Sequence, residues 1–141
     1  MTSYRGRGTS FDGGDDRAAA PDSVPPGWPR GVLPPQAAGW ERSATGWLLD
    51  ECPPDLRGYP VIVKHPVVLA QLAVHHLSAA LDGCRGAQGA ARAELRDAVP
   101  PGVVEHVIEA LTAEEARLVG ACRGADLVLQ ALRGERYVPR L

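Results

Sequence analysis

From Pro101 to Arg133 the apolar residues recur in alternating steps of four and three: Val104, Ile108, Leu111, Leu118, Cys122, Ala125, Leu129 and Leu132. Glu115 alone interrupts the series. Such steps repeat every seven residues and mark the stripe of a helix laid lengthwise on another helix. The expected partner is the stretch from Pro66 to Val99, which carries Leu69, Leu72, Ala73, Leu77, Ala80, Cys84, Ala87, Ala91 and Leu95 on one face. Pro66 suits a first helical turn, and Pro100-Pro101-Gly102 makes the turn between the two helices.

The weak point of the first long helix is Asp82 to Gly89, which holds Gly83, Gly86 and Gly89. Each glycine costs about 1 kcal/mol relative to alanine inside a helix. A loop there would give two shorter helices and a four-helix bundle. Spacing of one glycine per turn favours continuity, with the glycines forming a groove for close approach. Antiparallel pairing then places Leu118 opposite Gly83, Leu81 opposite Gly120 and Leu77 opposite Gly124, large against small. On that reading a bulky residue at Gly120 or Gly83 overpacks the seam. The capping-box pattern Thr112-Ala113-Glu114-Glu115 inside the second helix leaves the heptad phase unshifted, so at most a kink is expected. Gly134 is placed to cap its end.

Upstream, Trp40, Ala44, Trp47 and Leu48 share one face of a short amphipathic helix from Gly39 to about Glu51, ended by Cys52-Pro53-Pro54. Pro53 to His65 reads as a connector in which Val61-Ile62-Val63 is extended coil, for want of a second strand to pair with. Met1 to Pro35 is rich in Gly, Pro, Ser and Asp without apolar period and reads as a disordered arm. Within it, Pro25 to Pro35 looks extended. Trp28, Val32 and Leu33 are expected to dock on the helices, although the same residues would suit a proline-binding domain of another protein. Tyr137 and Val138 are expected to anchor beside Trp40 and Trp47.

The pattern therefore predicts an all-α fold. A long antiparallel helical hairpin, coiled-coil-like, carries a short N-terminal packing helix. Residues 1–35 form the arm and residues 36–141 the helical domain, with helices at about 39–51, 66–98 and 102–133. Composition agrees: one Phe, three Tyr and three Trp in 141 residues leave a core of Ala, Val and Leu, suited to thin helix-on-helix packing.

A net charge of -2 excludes a whole-protein attraction to nucleic acid or membrane. Arg5-Gly6-Arg7-Gly8 is read as part of a flexible tail rather than a nucleic-acid-binding repeat. The first residues hold no apolar run of a secretory signal. Pro66 to Leu81 is shorter than a bilayer span and is broken by Gln71, His75 and His76. Cys52, Cys84 and Cys122 are an odd number without CxxC spacing, which fits reduced thiols in a cytoplasmic protein.

Candidate chemistry is sparse. His75 and His76 point about 100° apart on a helix and cannot chelate one metal together. His76 is expected near the seam and His75 at the surface. His76, Cys84 and Cys122 lie too far apart along the helices for a zinc site, so the thiols read as small core residues. No GxSxG, P-loop, HExxH or dinucleotide-binding glycine pattern occurs, so no catalytic residue, metal ligand or cofactor is expected. The hairpin does gather basic residues at one end. Lys64 and His65 start the first long helix, Arg133 and Arg136 end the second, and Arg57 and Arg140 lie on adjoining segments. This end is a candidate site for an anion or an acidic partner segment. Asp50, Glu51, Asp55 and Glu135 stand ready to neutralise it.

Trp47-Leu48-Leu49-Asp50, Cys52-Pro53-Pro54, Tyr59-Pro60-Val61, His65-Pro66-Val67 and Arg136-Tyr137-Val138-Pro139-Arg140-Leu141, taken together, resemble uncharacterised small helical proteins of actinobacteria over residues 27–141. That resemblance implies a cytoplasmic setting and no site residues. The functional expectation is a non-enzymatic protein–protein interaction module that self-associates or docks to a protein partner. Its ground is that Val68, Val74, Leu81, Val103, Val107, Val119, Leu127 and Val128 exceed what one seam can bury. The alternatives are a regulator binding an anionic ligand or nucleic acid at the basic end, and a thiol or metal sensor built on Cys84, Cys122 and His76.

Overall fold

The computed structural model describes residues 24–139. Residues 1–23, most of the expected arm, lie outside it, as do Arg140 and Leu141. The described chain forms α1 (Trp40–Glu51), a 3₁₀ turn (Pro54–Gly58), α2 (Pro60–Val63), α3 (Pro66–Glu94) and α4 (Pro101–Leu132), with no strand among the described residues. The fold is all-α, and α3 and α4 form the antiparallel hairpin.

Both long helices are continuous. α3 passes unbroken through Gly83, Gly86 and Gly89, and α4 passes unbroken through Thr112 to Glu115. Thr112 does not cap: its hydroxyl donates back to the Ile108 carbonyl at 2.9 Å, the interior alternative for a helical threonine. The expected register holds. Gln88 reaches Thr112 at 3.3 Å, Arg85 lies 3.9 Å from Glu115, Arg92 pairs with Glu105, and Arg133 donates to Gln71 at 2.7 Å. Glu115, the one polar interruption of the α4 stripe, is thus matched by Arg85 across the seam.

The faces differ from expectation. The seam of α3 is Leu69, Ala70, Ala73, Leu77, Cys84 and Ala91, while Leu72 and Ala87 point outward. Gly83, Gly86, Gly89 and Gly120 are exposed, and a methyl group added to any of them would meet nothing within 4 Å. They form no groove for the opposing helix, and the expected overpacking at Gly83 and Gly120 does not arise. The seam is close because alanine lines it, not because glycine does. Gly124 is the tight position, but its neighbours are Pro29 Cγ at 2.9 Å and Trp47 Cη2 at 3.2 Å from an added Cβ, rather than Leu77.

A second buried face on the C-terminal half of α4 explains this. Ala121, Gly124 and Val128 join Leu118, Ala125 and Leu129 in the core. Over that face lie α1, which buries Ala44, Leu48 and Leu49, and the stretch 24–39. The latter is not extended: it is a chain of turns. Pro25-Pro26-Gly27-Trp28 closes with Trp28 N–H on the Pro25 carbonyl at 3.0 Å, Gly27 taking φ 94° as such a turn demands. Pro34 to Ala37 repeats the device with Gln36 at φ 73°. Docking of Trp28 and Val32 is as expected, whereas Leu33 stays exposed. Trp28 Nε1 donates to the Val32 carbonyl at 3.0 Å, Leu33 N–H donates to Ser43 Oγ at 2.9 Å, and Arg123 Nε donates to the Pro26 carbonyl at 2.9 Å.

The connector also departs from expectation. Proline at the first position of each segment, with its preset φ, turns Pro54–Gly58 and Pro60–Val63 into short helical turns instead of coil. At the far end Gly134, at φ 83°, closes α4: its N–H bonds the Ala131 carbonyl and Glu135 N–H bonds the Gln130 carbonyl, both at 3.0 Å. This pair of bonds is the Schellman motif.

The glycines therefore separate by role, and chemical denaturation of single variants reads the difference. Gly89→Ala and Gly120→Ala are expected to gain up to about 1 kcal/mol from helix propensity. Gly134→Ala is expected to lose about 1 kcal/mol through its left-handed backbone. Gly124→Ala is expected to lose about 1–3 kcal/mol by displacing Pro29 and Trp47.

Candidate functional site

The residues of the basic end are placed as follows. Lys64 closes α2 and His65 precedes α3; both are exposed. Arg133, at the end of α4, reaches back to Gln71 on the second turn of α3, so it shares that end of the hairpin with them. Arg57 is held by Asp50 at 2.6 Å, a pairing that spends its charge on the end of α1. Arg136 lies in the tail and lines a separate groove. Arg140 is outside the described residues. Arg117, by contrast, is well engaged: it bridges Glu114 at 2.7 Å and Glu51 at 3.1 Å, tying α1 to α4, and both carboxylates hold its guanidinium protonated.

The groove beside Arg136 measures about 450 Å³. Trp28 and Trp40 form part of its wall, their rings 6.4 Å apart and tilted by 46°, with Leu127, Gln130 and Tyr137 completing it. Tyr137 and Val138 therefore lie near Trp40 as expected, but both stay exposed, and Trp47 turns instead toward Gly124.

A second apolar surface is the outward face of α3. Val68 and Leu72 are 42% and 37% exposed on consecutive turns. Below them on the same face come His75, Ala79, Gly83 and Gly86, all exposed. Tyr59, Val61 and Val67 flank its start and are exposed as well. Of the eight residues expected to be left over by the seam, Val68, Val103 and Val119 are exposed, Val74, Leu81, Val107 and Leu127 are half-buried, and Val128 is fully buried under α1 and the N-terminal turns. Sequence reasoning left Val68 over for a further surface but assigned Leu72 to the seam and the glycines to the opposing helix, so it did not read them as one face. The signal that could have found it was that α3 carries apolar or small residues on two faces, whereas a surface helix needs only one.

Catalytic and metal-binding groups do not converge. No set of three His, Cys, Asp or Glu side chains among the described residues is placed to hold a metal ion. His75 is exposed and His76 half-buried. Cys52, Cys84 and Cys122 are free thiols. Cys84, buried in the seam, donates to the Leu111 carbonyl at 3.3 Å. Burial raises the Cys52 thiol above its ordinary pKa, helped by Glu51. Burial also raises Cys122, against the opposing pull of Arg85.

Raised thiol pKa values mean little thiolate at neutral pH, and thiolate is the reactive form. Cys52 and Cys122 in the folded chain are therefore expected to react slowly with Ellman's reagent at neutral pH and rapidly once the chain is denatured. Fast reaction of the native protein would contradict the burial of these thiols. Compared with known protein families, with curated proteins and with solved structures, the chain matches none.

Proposed function

We propose that the chain is a non-enzymatic interaction module that associates with itself. The observation that carries this reading is the outward face of α3. By length and composition α3 is apolar enough to cross a membrane, yet within the chain only 28% of its most apolar window is buried. The large apolar side chains left exposed on α3 are Val67, Val68 and Leu72, and burial against another surface would stabilise them. A helix of about 44 Å offers it a long, straight track. Free cysteines at positions 52, 84 and 122 fit a cytoplasmic setting for this role. The anion-binding reading of the basic end is the weaker one, because Arg57 is already occupied by Asp50 and Arg136 faces a different groove.

Light scattering on the chain as it elutes from a size-exclusion column tests the proposal. The expected mass is an integer multiple of 14.9 kDa, unchanged by reductant because no disulfide joins the subunits. A monomer at every accessible concentration would refute self-association.

A further inference from the structure

Resting on that self-association, we infer that two copies of the chain pack α3 against α3 in antiparallel fashion, about a two-fold axis beside Ala79. The axis is set by size and charge along the outward face. Val68 and Leu72 stand on the N-terminal half of α3, while its C-terminal half presents Gly83, Gly86 and Ala90. Antiparallel packing about Ala79 lays Leu72 over the partner's Gly86, Val68 over the partner's Ala90, and His75 over the partner's Gly83. Each large side chain meets a small one, and each contact occurs twice by symmetry.

Ala79 meets its own copy on the axis, where a methyl group is small enough for the backbones to approach. At the rim, exposed Lys64, which closes α2 just before α3, lies at the same end of the interface as the partner's exposed Glu94, and this occurs at both ends. Parallel packing would do the reverse. Leu72 would crowd Leu72 while glycine faced glycine across a gap, and Lys64, Asp82 and Glu94 would each meet a like charge. The same geometry gives the exposed glycines of α3 a use. Gly83 and Gly86 touch nothing within their own chain, and their missing side chains leave room for His75 and Leu72 of the second copy.

The test uses the full chain. Its solution mass is measured by light scattering for the native protein, for Ala79→Glu and for two charge variants, with folding checked by circular dichroism. Ala79→Cys in a Cys122→Ser background is oxidised under mild conditions, because residues on a two-fold axis between close helices come within disulfide range. The expected results are a native dimer, a folded Ala79→Glu monomer and, for the Ala79→Cys variant, an efficient cross-link between subunits. Lys64→Glu should weaken dimerisation about three- to tenfold, and adding Glu94→Lys should restore it. A dimer that survives Ala79→Glu and gives no cross-link overturns this interface while leaving self-association intact. A chain that is monomeric at all concentrations, or monomeric in solution and bound to lipid vesicles through α3, overturns both.

Discussion

The constraint on which the rest depends is the alanine-lined contact of α3 with α4. Leu69, Ala70, Ala73 and Leu77 are essentially without solvent exposure, enclosed by α4 together with α1. Small side chains let the two axes come close, so the seam is filled by few large groups: Leu77 and Leu69 from one side, Leu118 and Leu129 from the other. A close seam is also a narrow one. It buries one stripe of each helix and shields nothing on the opposite side of α3. With few aromatic residues to widen the core, this chain cannot both make that seam and cover every apolar position it carries.

The C-terminal half of α4 buries its second apolar face within the chain. There α1 and the turns of residues 24–39 lie over Ala121, Gly124 and Val128, so the chain covers its own second face. Pro29 and Trp47 reach almost to the α4 backbone at Gly124, which has no side chain to keep them off. Three hydrogen bonds hold the cover in place: Trp28 to Val32, Leu33 to Ser43 and Arg123 to Pro26. α1 and α2 also pack on α3, yet Val68 and Leu72 stay exposed on its outward face. Those exposed side chains are the physical basis for assigning that face to a second copy.

Much of the architecture was legible because the signals are local. Prolines at the first turns of α3 and α4, the glycine after α4 and the Cys52-Pro53-Pro54 stop each act within one or two residues of themselves. Register was legible too, since a short turn between two long helices leaves little freedom in which residues lie opposite. The turns at Pro25 to Ala37 were not read, because Pro-Pro followed by a residue at positive φ looks the same in sequence as an extended proline stretch. The glycines of α3 were misread for a different reason. One-per-turn spacing states that they share a face but not which way that face points.

The amino-acid sequence by itself determined the helical class, the hairpin, where its two long helices begin and the absence of a recognisable catalytic motif. These follow from side-chain size, backbone freedom and period, which are properties of the chain alone. Tertiary structure decided which of two apolar faces of α3 enters the seam, what presses on Gly124, and which basic residues stand near one another. Each of those depends on competition among faces of similar hydrophobicity for one narrow contact. The balance is settled by shape complementarity over the assembled helices, a quantity no single segment carries.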